Sequence, residues 1–153
     1  MKVYVDTSVV GGCFDDEFKE WSLALFGEFI KGTKIMLVSD LMMRELENAR
    51  KQVKEKLNDV PEKNKLDIFS DNEVIQLARK YITEGALTKK SYNDAVHIAL
   101  ATINNADVLA SWNFKHIVNL NKIRLYNSIN IKLGYHWIEI RTPREILEIK
   151  RSK

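Results

Sequence analysis

Residues 3–8 read Val-Tyr-Val-Asp-Thr-Ser, a short β-rich run that stops at a carboxylate. Val and Tyr favour strands while Asp, Thr and Ser favour turns and caps, so the run predicts a buried strand ending at Asp6. Two similar runs follow: Ile35 to Val38, succeeded by Ser39-Asp40, and Asp107 to Ser111, succeeded by Trp112-Asn113. Between them the apolar residues recur at helical spacing. Phe18, Trp21, Leu25, Phe26 and Phe29 predict a helix over 15–31 closed by Gly32, and a second, capped by Ser39-Asp40 and carrying Leu41, Glu45 and Leu46, is expected to run to about 58 and end before Pro61. Val74, Leu77, Ala78 and Tyr81 predict a helix opened by Ser70-Asp71 and closed by Gly85, and Ala95, Ile98, Ala99 and Thr102 predict another over 89–104 with Thr88 as cap. Beyond it the expectation is a helix after Asn113, another within 121–133, a strand over 137–140 and a final helix opened by Thr142-Pro143-Arg144-Glu145. Short buried strands alternating with helices predict an α/β fold of three layers, α/β/α, around a mostly parallel central sheet.

The remaining composition is that of an ordinary globular protein. The chain has 153 residues, 45% hydrophobic and 29% charged, with six Gly and two Pro. A single domain over 1–153 is expected, because a chain of about 150 residues buries roughly 68–70% of its unfolded surface around one core. Cys13 is the only cysteine. That excludes an intrachain disulfide and a cysteine zinc site and fits a reducing cytoplasm. No apolar run approaches the ~18 residues of a membrane span, and Asp6 interrupts any signal-peptide core. The net charge of +3 conceals an asymmetry: residues 115–153 carry nine basic and three acidic side chains, against fifteen and eighteen in residues 1–114. A basic C-terminal extension, about 120–153, is expected to pack on an acidic body.

In a parallel sheet, ligands bind outside the carboxyl ends of the strands, where loops and helix starts converge. Asp6 lies at such an end; taken alone it reads equally as a cap or turn residue. Glu45 lies a little over one turn into the helix after the second strand. Asp94 interrupts the largest run of small and apolar residues, Asn93-Asp94-Ala95-Val96-His97-Ile98-Ala99-Leu100-Ala101, and shares a helix face with His97 three residues on. A lone histidine there is more often structural than a ligand. Asn113 follows the third strand as Asp6 follows the first and also reads as a helix cap. Asp107, at the opposite end of that strand, reads as structural. Carboxylates from a strand end and two helices, with no cysteine, specify Mg²⁺ or Mn²⁺. Like charges so placed raise each other's pKa unless a divalent cation intervenes. Its chemistry would be to activate water and stabilise phosphate charge.

Four segments together carry a resemblance: Val3-Tyr4-Val5-Asp6-Thr7-Ser8; Ser39-Asp40-Leu41 with Arg44-Glu45-Leu46; Asp94-Ala95-Val96-His97-Ile98-Ala99; and Leu109-Ala110-Ser111-Trp112-Asn113-Phe114-Lys115-His116. In order and spacing they resemble PIN-domain proteins of the VapC-like toxin type over residues 1–120. The resemblance implies a PIN-like fold and a metal-dependent endoribonuclease, with Asp6, Glu45 and Asp94 matching the acidic metal ligands and Ser8 the group that supports the first Asp. The family's fourth acid falls at Asn113, where an amide lowers the negative charge by one unit, so a second metal is expected to bind more weakly. The resemblance further implies a homodimer, an RNA substrate and a cognate antitoxin, a small DNA-binding protein.

The basic residues Lys115, His116, Lys122, Arg124, Lys132, Arg141 and Arg144 suit a phosphate backbone, and Lys115 and His116 are the candidates for substrate contact because they adjoin Asn113. Trp112 reads as core. Two other functions compete. One is a degenerate PIN domain that binds RNA or antitoxin with weak or no turnover, motivated by Asn113. The other is a phosphohydrolase with Asp6 as nucleophile, a haloacid-dehalogenase-like pattern that needs a second Asp where this chain has Ser8.

Overall fold

The structure, a computed structural model, describes residues 1–151; Ser152 and Lys153, the end of the basic extension, lie outside the described residues. Five strands form one sheet: β1 (Lys2–Val5), β2 (Ile35–Ser39), β3 (Lys65–Ile68), β4 (Val108–Ala110) and β5 (Ile140–Arg141). Their order is β3-β2-β1-β4-β5 and every pairing is parallel. Successive residues of a strand face opposite sides of its sheet. Tyr4, Leu37 and Leu109 thus enter one core, and Val3, Val5, Met36, Val38, Val108 and Ala110 enter the other.

Each core is closed by helices. Helices α5 (Asn72–Thr83), α6 (Tyr92–Ile103) and α7 (Leu120–Lys132) cover the Tyr4 side. On the Val3 side lie α1 (Thr7–Gly12), α2 (Lys19–Lys31), α3 (Asp40–Leu46), α4 (Lys51–Glu55) and α8 (Pro143–Arg151). This is the expected three-layer α/β/α arrangement. Asp71 caps α5 through Val74 N at 3.0 Å. Gly32 closes α2 at φ +83°. At α8 the predicted reciprocal cap is present: Thr142 N donates to Glu145 Oε1 at 3.0 Å and Glu145 N to Thr142 Oγ1 at 3.2 Å.

Several local expectations are corrected. The stretch after Asp6 is a helix, α1, missed because Val9, Val10 and two glycines are poor helix formers and six residues show little periodicity. The helix expected over 40–58 is broken into α3, α4 and a 3₁₀ turn over Lys56–Asp59. Strand β3 lies on the sheet edge, where Lys65 and Asp67 hide the apolar signal. Thr88 makes no side-chain cap; a 3₁₀ turn over Lys89–Ser91 precedes α6. Asn113 is followed by a turn and not directly by a helix, and the expected strand over 137–140 is only Ile140–Arg141. Asp107 does act structurally, accepting Lys2 N at 2.7 Å.

Packing of α1 sets the rigidity of the Asp6 end. A Cβ on Gly12 would lie 2.5 Å from Ser22 Oγ and 2.8 Å from Trp112 Nε1, two atoms already hydrogen-bonded to each other at 2.8 Å. A Cβ on Gly11 meets nothing within 4 Å. Gly12→Ala is expected to destabilise the fold by ~1–3 kcal/mol through overpacking, while Gly11→Ala leaves it unchanged or slightly more stable. Urea midpoints at constant m-value check the contrast.

Candidate active site

The strand order reverses between β1 and β4, and the crevice outside the carboxyl ends at such a point is the usual ligand site. All four predicted elements reach it. Asp6 directly follows β1, Asn113 follows β4, Glu45 lies in the last turn of α3 after β2, and Asp94 in the first turn of α6.

Asp6 is the N-cap of α1, 3% exposed. Its Oδ1 accepts Ser8 Oγ at 2.5 Å and Val9 N at 3.3 Å, and its Oδ2 accepts Ser111 Oγ at 2.5 Å. Burial pushes the carboxyl above its ordinary range, against the pull of His97 and the two hydroxyls. A buried carboxylate with both oxygens engaged is badly placed to attack a substrate. The phosphohydrolase reading therefore loses its nucleophile.

Glu45 is held from two sides. Thr7 Oγ1 donates to its Oε1 at 2.6 Å, and His97 Nε2 lies 2.7 Å from the same oxygen. His97 is 3% exposed; its Nδ1 lies 2.5 Å from Tyr4 Oη, which also lies 3.0 Å from Ser39 Oγ. Burial raises the Glu45 pKa, but the hydrogen bond and charge of His97, with Thr7, outweigh it and hold the carboxyl below its ordinary value. His97 is thus a satisfied core histidine, yet its partner is a site carboxylate. Oε2 of Glu45 accepts no hydrogen bond among the described residues.

Asp94 is half-buried, and burial raises its carboxyl; His116 and His97 pull it down while Asp6 and Glu45 push it up. Asn113 Nδ2 donates to Asp94 Oδ1 at 3.3 Å, and Asn113 Oδ1 accepts Lys115 N at 3.2 Å and His116 N at 2.9 Å. The amide therefore both caps the following turn and offers a proton to Asp94. A carboxylate at 113 would make the cap but not the donation. His116 Nδ1 is buried without a hydrogen-bond partner among the described residues, and Lys115 is exposed.

The donor chemistry fits a hard divalent cation: oxygens only, carboxyls that raise one another, and Glu45 Oε2 and Asp94 Oδ2 without hydrogen-bond partners among the described residues. Among the described residues no three His, Cys, Asp or Glu side chains are arranged to hold an ion directly. Mg²⁺ commonly takes one or two carboxylates and fills its remaining positions with water, which suits such a set.

The farther basic residues are largely engaged with neighbours. Lys132 pairs with Glu84 at 2.7 Å, Arg144 with Glu148 at 3.0 Å, and Arg141 with both Glu139 and Glu145, while Lys122 Nζ donates to Ala86 O at 2.9 Å. Such exposed pairs are weak, but they lower the free positive charge of the extension.

No protein-family model matches the chain, and no curated protein matches it in sequence. Solved structures do match. VapC20 of Mycobacterium tuberculosis, a sarcin–ricin loop cleaving toxin, aligns with a TM-score of 0.57 over 89% of this chain and 98% of that one, at 11% identity. A chain of VapBC2 from Rickettsia felis, in a structure bound to a DNA fragment from their promoter, aligns with a TM-score of 0.60 over 93% and 98%, at 13% identity. The fold is VapC-like. It accounts for the PIN-like architecture expected from the four sequence segments.

Within this VapC-like frame, three site residues escaped the sequence reading: Thr7, Ser111 and Tyr4, which bond Glu45, Asp6 and His97 respectively. A signal existed for the first two, since each is a hydroxyl residue at the carboxyl end of a strand. Tyr4 had none, because its hydroxyl finds His97 only across 93 residues of chain.

Proposed function

We propose that the protein is a Mg²⁺- or Mn²⁺-dependent endoribonuclease that hydrolyses RNA phosphodiesters, acting in the cytoplasm as the toxin of a type II toxin–antitoxin pair. One observation carries the reading: Asp6, Glu45 and Asp94, far apart in sequence, come to the switch point of a VapC-like sheet, where Thr7, next to Asp6, bonds Glu45 and Asn113 bonds Asp94. A divalent cation bound there would lower the pKa of a coordinated water and neutralise phosphate charge. The chain's own residues prepare the place. Thr7 and His97 fix Glu45, Asn113 fixes Asp94, and the hydroxyls of Ser8 and Ser111 keep Asp6 oriented behind them. Lys115 and His116 adjoin Asn113 and are the residues for substrate contact. The Rickettsia neighbour, solved as VapBC2, supports a cognate antitoxin as partner, and a homodimer is the expected state. Among the described residues no helix is long and apolar enough to cross a membrane. The test is cleavage of a mixed RNA pool with Mn²⁺ and its loss on chelation; an inert protein that still binds metal would overturn the enzymatic reading.

A second reading, a PIN domain with weak turnover that binds RNA or antitoxin, is favoured by the Asn113 amide donating to Asp94. That proton partly does what a cation would do. In Asn113→Asp the two carboxylates would face each other without it, so the variant is expected to melt lower in chelator and to gain more from Mn²⁺ than the parent, with about tenfold tighter binding. Thermal melts across a Mn²⁺ titration check this. Equal shifts in both proteins would show that position 113 does not tune the cation site.

A further inference from the structure

We infer that Phe114 is a base-stacking platform, so that the substrate is RNA with an unstacked base beside the scissile phosphate; this rests on the ribonuclease reading. Phe114 follows Asn113, whose side chain touches Asp94 and whose Oδ1 accepts the next two backbone N–H groups. That turn is tight and defined. The next residue, Phe114, leaves 51% of its surface exposed.

The ring has rigid backing. Phe18 and Trp112 stack with centroids 4.3 Å apart and planes at 19°, and Phe114 lies 6.3 Å from each. Trp112 is locked in turn by its Nε1–H bond to Ser22 and by its contact with Gly12. An aromatic group backed this way presents a π-face at a reduced ordering cost on binding. Lys115, exposed next to it, supplies positive charge, and the neighbouring carboxylates make the surroundings polar. An exposed apolar ring flanked in sequence by a cation and by a residue that touches a site carboxylate suits a nucleobase, whose flat face stacks while its backbone stays in water. Paired bases keep their faces covered in the helix stack. The platform therefore favours single-stranded segments and loops over duplex.

Binding of a short labelled oligoribonucleotide, measured by fluorescence anisotropy with Ca²⁺ present and Mn²⁺ absent, tests this. Phe114→Ala is expected to weaken binding about 10- to 100-fold, Phe114→Trp to retain it, and Phe114→Leu to behave like the alanine variant. Replacing one nucleotide at a time by an abasic residue should find a position where wild type loses the same factor and Phe114→Ala loses nothing further, as a direct contact requires. Melting curves within a few degrees of wild type show that the variants are folded. Unchanged binding by Phe114→Ala overturns the platform while leaving the ribonuclease reading intact. Full binding by Phe114→Leu overturns stacking in favour of a generic apolar contact, as a protein partner would make. A wild-type protein that neither binds nor cleaves any RNA overturns both readings together.

Discussion

Asp94→Asn is expected to cut RNA cleavage by about 10³-fold or more and, in the absence of divalent cation, to raise the melting temperature. The two effects have one cause. Ionised Asp94 is desolvated and repelled by Asp6 and Glu45, so the folded protein holds this carboxyl above its ordinary pKa. Asn keeps the oxygen that accepts Asn113 Nδ2 and removes the charge. The sign with pH follows from linkage. A carboxyl whose folded pKa exceeds its unfolded value costs nothing below the unfolded value of about 4, and its cost grows as pH rises through the folded value, reaching its full size near neutrality. The melting-temperature gap between Asp94→Asn and wild type should therefore be widest at neutral pH and close as pH falls towards about 4. Circular dichroism melts in chelator measure it. A variant melting below wild type at neutral pH would mean that the carboxylates do not strain one another.

His97→Ala is expected to lower both stability and activity. The side chain is 3% exposed and bridges Tyr4 Oη and Glu45 Oε1. Its removal leaves a cavity among β1, α3 and α6 and takes away one of two donors on Glu45, at a cost of ~2–4 kcal/mol. Glu45 loses the group that holds its pKa down and its oxygen in place. Cleavage should fall ~10²-fold, in kcat more than in KM, because the residue positions a site carboxylate and does not touch substrate. Tyr4→Phe separates the roles: the tyrosine retains only its packing, so stability should fall by ~1 kcal/mol with a much smaller loss of kcat. Equal kcat in His97→Ala and wild type would reduce His97 to a core residue.

Particular residues show where the sequence was readable. Gly32 after α2, Asp71 before α5 and Thr142 with Glu145 at α8 act as local stop and start signals, since a cap needs only neighbours along the chain. Where signal and context part, the reading fails. The edge strand β3 carries Lys65 and Asp67, and α1 is built from residues that favour other states; each forms only because the rest of the sheet is present. Asn113 was legible as a cap. Its proton to Asp94 was not.

The sequence by itself determined the strand-and-helix alternation, the three-layer parallel fold and the short set of polar residues at strand ends and on helix faces, because hydrophobic period, caps and hydroxyl or carboxylate residues after buried runs are local properties. Tertiary structure alone decided which partners these residues meet. Tyr4 and Thr7 reach the His97–Glu45 pair, Ser39 reaches Tyr4, and Ser111 reaches Asp6, across 35 to 105 residues of chain. Such bonds depend on the order β3-β2-β1-β4-β5, which brings the carboxyl ends of β1, β2 and β4 side by side. Register and burial then set the charge balance, since desolvation and a donor a few ångströms away shift a carboxylate in ways that composition does not encode.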